Sequence, residues 1–241
     1  MEVWKIAGIR IQELYKTYQM AEKSVPVFSG LNLELDRFCI TVVVGRSGCG
    51  KTTLLRMILG LEPCDRGTIC QEDGLKTGIV FQEPRLMPWL NTWQNIGFGV
   101  KKSRIDQEKM KKLLLMTGLA GFEKAYPFQL SGGMQQRTAL ARALFQDPDY
   151  ILMDEPFAAL DYFTRKSMQE ELLRIQKENQ KGMLFVTHSI DEALTLGQKI
   201  VVLREGVCKK IYELEMQPYP RDLLSGEMIR IKKDILETIG A

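Results

Sequence analysis

The sequence is 241 residues long, 45% hydrophobic and 26% charged, with a formal net charge of +3. This length supports a sizeable buried core in one large domain or two small ones, and the composition excludes a disordered chain. The small net charge excludes the strong basic field of a nucleic-acid binder. The five cysteines, Cys39, Cys49, Cys64, Cys70 and Cys208, make no C-x-x-C pair and have no histidine nearby. That argues against a structural zinc and suits thiols in a reducing cytosol, with Cys39, Cys64, Cys70 and Cys208 as plain strand or loop residues. The opening MEVWKIAGIR lacks the apolar stretch of a secretory leader. No apolar run approaches the roughly 18 residues of a bilayer crossing.

In chain order, IRIQEL (9–14) and FCITVVV (38–44) read as buried strands. The second runs into GRSGCGKTT, which matches G-x-x-x-x-G-K-[ST] between a strand and the helical pattern TTLLRMILGL (52–61). Gly45, Gly48 and Gly50 let the chain curl so that several N–H groups, with Ser47 and Cys49 among them, face one phosphate chain. Lys51 is expected to pair with the β- and γ-phosphates, Thr52 to ligate Mg²⁺, and Thr53 to reach a further phosphate oxygen. Cys49 is expected to be a small spacer whose alkylation would block nucleotide. GIVFQ ends in Gln82, a neutral amide able to touch Mg²⁺ or water, at the start of a segment with no buried strand from Glu83 to Asp147.

That segment reads as a helical subdomain inserted into an α/β core. Its loop EPRLMPWLNTWQNIGFG (83–99) carries Leu86, Met87, Trp89, Leu90 and Trp93, and Pro88 argues against a regular helix there. Those side chains form either a local mini-core or an apolar groove for a helix of a membrane protein. The basic pattern at 101–118 is a solvated helix face or a contact for anionic lipid. LSGGM then opens a further helix at Ser131, Gly132 and Gly133, either as a simple Ser cap or as an anion-facing helix start without a lysine.

YILMDEP (150–156) is an apolar strand that delivers Asp154, a Mg²⁺ ligand, and Glu155, a base for in-line water attack, to its carboxyl end. The helical pattern at 164–180 leads to the strand MLFVT (183–187) and the sole histidine, His188. A lone histidine is often structural. At a third strand end of one sheet it can instead hold the γ-phosphate and water in line. SIDEALTLG (189–197) reads as a helix, KIVVL (199–203) as a strand, and SGEMIRIKKDILETIG as a helix with Met228, Ile231, Ile235 and Ile239 on one side. Strands alternating with helices predict a mostly parallel sheet.

GRSGCGKTT, the glutamine of VFQEP, LSGGM, ILMDEP, the ALD at 159–161 and the histidine of VTHSIDEA stand in the order of the ATP-binding cassette (ABC) family. Over nearly the whole chain the sequence resembles the nucleotide-binding subunit of an ABC transporter. The resemblance implies an α/β P-loop NTPase: a RecA-like, mostly parallel core (1–82 and 148–241), a small antiparallel β region and an inserted helical subdomain (83–147). It implies ATP hydrolysis with Mg²⁺, catalytic Lys51, Gln82, Glu155 and His188, and a cation held by Thr52, Gln82 and Asp154. It also implies a head-to-tail homodimer in which Ser131, Gly132 and Gly133 of one copy complete the other copy's site. Tyr18 looks like the aromatic that stacks on adenine, with Tyr15 the competing candidate, and Asp161 looks like the acid linking the two sites. Two departures are mild: Met134 stands where glutamine is frequent, and Asp36–Arg37 where glycine often precedes the strand.

EPRLMPW, MQQRTALARAL and VTHSIDEAL look most like the nitrate/sulfonate/taurine-type importer ATPases. That implies integral-membrane permease subunits docking at 83–99, a periplasmic or lipoprotein solute-binding protein, and a peripheral place on the cytoplasmic face of a prokaryotic membrane. A non-transport cassette ATPase, such as an assembly, repair or translation factor, is the alternative. A non-hydrolysing scaffold is disfavoured because Lys51, Asp154, Glu155 and His188 are all present.

Overall fold

Two long strands come first in the computed structural model, β1 (Gly8–Met20) and β2 (Lys23–Asp36), paired antiparallel from Gly8↔Asp36 to Met20↔Lys23. The structure describes residues 8–20, 23–214 and 219–240. The expectation that no leader occupies the N-terminus therefore falls mostly outside the described residues. β3 (Ile40–Val44), α1 (Lys51–Ile58), β4 (Arg66–Gln71) and β5 (Thr77–Val80) follow. Between β5 and the next strand the described elements are helical: α2 (Thr92–Ile96), α3 (Gln107–Met116), α4 (Gly132–Phe145) and 3₁₀ turns at Lys102–Arg104 and Pro127–Gln129. β6 (Tyr150–Asp154), α5 (Tyr162–Asn179), β7 (Gly182–Thr187), α6 (Ile190–Leu196), β8 (Lys199–Arg204), β9 (Val207–Glu213) and α7 (Gly226–Gly240) complete the chain.

The strands form two sheets. One is antiparallel, β2-β1-β4; the other runs β5-β6-β7-β3-β8-β9 and is parallel except at β8–β9. Continuous apolar strands arise because both faces of the larger sheet are covered. Ile40, Val42, Ile151, Met153, Met183 and Phe185 face a helical layer containing Leu140, Leu172 and Leu194. The alternate residues Val43, Leu152, Leu184 and Val186 face α1 and the inner side of the antiparallel sheet, including Ile9, Ile11 and Leu33.

Strands β2, β4, β5 and β9 escaped individual recognition in the sequence. β2 begins polar and then alternates buried with exposed residues, β5 is only four residues long, and β4 and β9 bury no residue fully, so none makes an apolar run. Strand β3 begins at Ile40, two residues later than the pattern, because Phe38 lies in the preceding turn and is 55% exposed. Helix α5 begins earlier, at Tyr162, because the Asp161 side chain caps it by accepting from Phe163 N and Thr164 N. Only 107–116 of the basic 101–118 pattern is α-helical, with Asp106 as its cap. Its Met110, Leu113 and Leu114 are buried while Lys111 and Lys112 are exposed. The Asp36–Arg37 departure is absorbed by an Arg37 fork that donates to Glu72 at 2.7 Å and Asp149 at 3.5 Å.

Candidate active site

Sheet order assembles the site from residues far apart in sequence. Parallel registers Val80↔Met153, Asp154↔Val186 and Val44↔Thr187 align the carboxyl ends of β5, β6, β7 and β3 side by side. Open α/β sheets bind ligands at such ends. Each of those ends leads into one polar group of interest: Gln82, Asp154–Glu155, His188 and the phosphate loop. An open cavity of about 510 Å³ is lined by Tyr18, Val25, Val27, Ser47, Gly48, Gly50, Lys51, Thr52, Thr53, Gln82, Glu155 and His188.

The loop before α1 is held in a shape only glycine adopts comfortably. Gly50 has φ +99°, and a Cβ there would lie 2.6 Å from Val27 Cγ1. The Lys51 ammonium is buried and donates to Gly45 O at 2.8 Å and Arg46 O at 3.0 Å, with Cys49 Sγ at 4.0 Å. An arriving phosphate thus exchanges with main-chain carbonyls that already hold this cation in place. Gly45 and Cys49 are not among the cavity-lining residues. The Cys49 side chain packs against the core beneath the loop, and burial pushes its thiol pKa up, with Lys51 opposing. A thiol so placed is a poor nucleophile, which weakens the expectation that alkylation would report on the site.

Asp154, which is buried, accepts a hydrogen bond from Thr52 Oγ1 at 3.1 Å, across 102 residues of sequence. Burial raises its carboxyl pKa, the charge of Glu155 adds to the rise, and Thr52, Lys51 and Arg56 oppose it. A hydroxyl and a desolvated carboxylate side by side are hard oxygen donors of the kind Mg²⁺ selects; Thr52 and Gln82 line the cavity, whereas Asp154 is not among its lining residues and reaches it through Thr52. These residues fit the cation.

Glu155 sits in the left-handed region, at φ 44°, with its N–H donating to Val186 O at 2.9 Å. Such backbone costs about 1–3 kcal/mol for a non-glycine residue and marks a constrained place. The turn sends the Glu155 side chain away from Asp154 and toward His188, whose Nδ1 is 3.0 Å from Glu155 Oε1. His188 is 60% exposed at the mouth of the cavity, and Glu155 is 16% exposed.

Ser131, Gly132 and Gly133 do not line this cavity. Ser131 and Gly132 are exposed, and Ser131 Oγ caps α4 by accepting from Met134 N at 3.3 Å. The cap explains the serine. Gly133 is constrained differently: a Cβ there would crowd Ala159 O and Leu160 Cδ2, each at 3.3 Å. Asp161 is likewise occupied as the α5 cap, and that hydrogen bonding with Thr164 holds its carboxyl below the usual range.

Tyr18 joins the cavity wall, whereas Tyr15 packs locally against Gly30 and Arg66. Burial, then Glu62, raise the Tyr18 phenol pKa, while Thr53 opposes. Val25 and Val27 of β2 flank the cavity and escaped the sequence reading. Their strand neighbours Tyr18 through the Tyr18↔Val25 register, which no local pattern reveals. Arg165, Thr187, Glu192 and Lys232 also went unread. They wall a second cavity, of about 450 Å³, which shares Glu155 and His188. The available signal was an acid on the buried side of α6, one turn beyond the histidine.

Comparison with known proteins gives a consistent result. Residues 28–158 match the family described as ABC transporter. The chain is 43% identical over 243 residues to an uncharacterized ABC transporter ATP-binding protein of Methanocaldococcus jannaschii, covering 96% of this chain and 91% of that one. It is 40% identical over 238 residues to an aliphatic sulfonates import ATP-binding protein of Bacillus cereus, covering 95% and 94%. It is 40% identical over 239 residues to a taurine import ATP-binding protein of Escherichia coli, covering 94% and 91%. Among solved structures, a dimeric post-hydrolysis ATP-binding cassette bound to ADP and Pi is similar with TM-score 0.78 and 30% identity, over 86% of this chain and 98% of that one.

Proposed function

The chain belongs to the ABC transporter family, and from that premise we propose that it is the ATP-hydrolysing subunit of an importer. One observation carries the reading: Lys51, Thr52, Gln82, Glu155 and His188, from four strand ends, line a single cavity. No helix among the described residues is long and apolar enough to cross a membrane, and the relatives named as import ATP-binding proteins support separate membrane subunits for the import step. The relatives named as sulfonate and taurine importers favour a small organic sulfonate as cargo and weigh against a non-transport role.

In the proposed reaction Lys51 and the loop amides hold the β- and γ-phosphates, and Tyr18 stacks on adenine above Val25 and Val27. Mg²⁺, carried by Thr52 and Asp154 with Gln82 near, would neutralise charge on the transferred phosphoryl group. Glu155 takes the proton of the attacking water, a role worth roughly 10²–10⁴-fold in rate. His188 Nδ1, 3.0 Å from Glu155 Oε1, keeps that carboxylate oriented. Ser131, Gly132 and Gly133, exposed and without an adjacent lysine, serve the γ-phosphate bound by a second copy, and Asp161 lies beside that contact.

The permease is expected to dock on the segment 83–99. Trp89 and Phe98 are 69% and 44% exposed there, while Trp93 packs against the core. That leaves part of the loop as mini-core and part as an available anchor surface. The full assembly would include a solute-binding protein outside the membrane and this chain on its cytoplasmic face.

Glu155→Gln tests the reading. The variant should keep ATP, lose at least about a hundredfold in turnover, and elute as a dimer with ATP but not with ADP. Unchanged turnover, or a monomer at saturating ATP, would overturn it.

A further inference from the structure

A buried carboxylate that the hydrolytic scheme does not use lies one helical turn past His188. Glu192 is 9% exposed and its Oε2 accepts from Thr187 Oγ1 at 2.7 Å. That same hydroxyl oxygen accepts from Ser189 N at 3.0 Å, and Ser189 Oγ accepts from Glu192 N at 3.3 Å. The residues on both sides of His188 are thereby tied to one acid. The other oxygen, Oε1, lies 3.9 Å from Arg165 Nε. Arg165 in turn donates from Nη2 to Leu160 O at 2.9 Å. Leu160 and Ala159 lie close to Gly133, where an added Cβ would come within 3.3 Å of Leu160 Cδ2 and of Ala159 O.

We propose that Glu192 is a positioning residue that holds the His188 turn and the 158–161 loop as one mechanical body. This rests on the ATPase reading. The physical argument concerns freedom. His188 is 60% exposed, with its Nδ1 3.0 Å from Glu155 Oε1, so its placement depends largely on its backbone. That backbone follows a strand end that would fray without the Thr187–Glu192 bond. Arg165, in a loose ion pair with Glu192 and hydrogen-bonded to Leu160 O, couples the restraint to the 158–161 loop, and Leu160 in turn lies close to Gly133 at the helix start that serves the second nucleotide. One buried acid thus joins the group beside a chain's own ATP to the turn it offers to its neighbour.

The full-length chain is measured as wild type, Glu192→Gln, Arg165→Gln and the double variant. Each single change should lower kcat about tenfold with KM for ATP within about threefold, because positioning rather than ground-state binding is lost. Two residues acting through one linkage are not additive, so the double variant should fall about tenfold as well, not about a hundredfold. Independent additive losses, or kcat within about twofold of wild type in both single variants, would overturn the proposal.

Amide hydrogen exchange provides a reading separate from activity. Glu192→Gln should speed exchange in 158–161 and in 187–190 together; acceleration confined to 187–190 would also overturn the proposal. Thr187→Val approaches from the other side and should lower kcat about tenfold, with Thr187→Ser recovering most of the loss. A wild-type chain that hydrolyses nothing would instead refute the ATPase assignment, and the exchange pattern would still decide the role of Glu192.

Discussion

Glu155 and Asp154 are adjacent in sequence yet chemically separated by one backbone dihedral. At φ 44° the chain turns the second carboxylate toward His188, and Asp154 stays buried beside Thr52. The two acids therefore differ in surroundings, and the proposed duties differ with them. Burial lifts the Asp154 pKa, so protonation competes with a cation at higher pH than for a free aspartate, near about 3.9. Below the raised value the half-saturating Mg²⁺ concentration should climb about tenfold per pH unit, and above it the curve should be flat. The stability sign follows from the same shift: the folded chain binds this proton more tightly than the unfolded one, so this group favours folding more as pH falls through that window. Asp154→Asn should remove the pH dependence of Mg²⁺ half-saturation together with most of the turnover. A wild-type profile flat down to the ordinary aspartate range would assign the cation to other ligands. The pair of acids at a strand end, and the expectation that they serve different ends, were legible in YILMDEP; the left-handed φ of Glu155 and the burial of Asp154 were not.

Helix α4 is an element whose two ends do different work. Its first turn is the exposed Ser131–Gly133 start, and its later turns grip the segment after β5. Gln136, 2% exposed, donates to Phe81 O at 3.1 Å, while Arg142 donates to Pro84 O and Arg85 O, each at 2.9 Å. Gln82 and Glu83 lie between those anchors, so the segment carrying Gln82 is tied on both sides to the helix that begins at Ser131. Arg142→Ala removes the donors of two main-chain carbonyls and should cost about 1–3 kcal/mol in urea unfolding. It should also reduce ATP-driven dimerisation while leaving ADP affinity within about twofold; a variant with wild-type stability and dimerisation would show the grip to be incidental. The MQQR pattern fixed the helix in advance, because a Ser cap and small residues precede an apolar stripe. Which carbonyls Gln136 and Arg142 would reach was not written there: the acceptors lie 55 to 58 residues earlier.

At the scale of the molecule, the proposed hydrolytic groups line one cavity and the Ser131–Gly133 helix start lies outside its lining. The proposed composite sites make a specific prediction for mixtures. Gly132→Glu places a charge on the exposed helix start, where a Cβ meets nothing within 4 Å, so the fold should tolerate it. Homodimers of Gly132→Glu and of Lys51→Ala should each be inactive. Mixing them should restore activity, because one of the two pockets in the mixed dimer combines an intact loop with an intact helix start. Absence of recovery, with both proteins folded, would mean each copy works alone.

Side-chain chemistry and strand period are local properties, and they were readable from the sequence. The glycines and lysine of GRSGCGKTT, the acids of ILMDEP, His188, and the apolar strands β3, β6, β7 and β8 needed no coordinates. Adjacency was decided only in three dimensions. The order β5-β6-β7-β3 brings together strand ends separated by most of the chain, and β1–β2 pairing sets Val25 and Val27 beside Tyr18. The Glu192–Arg165–Leu160 linkage arises in the same way, from α6 packing against α5. The physical reason is common to all three: crossover connections join segments whose contacts depend on sheet order and layer packing, and neither leaves a periodic mark on the residues themselves.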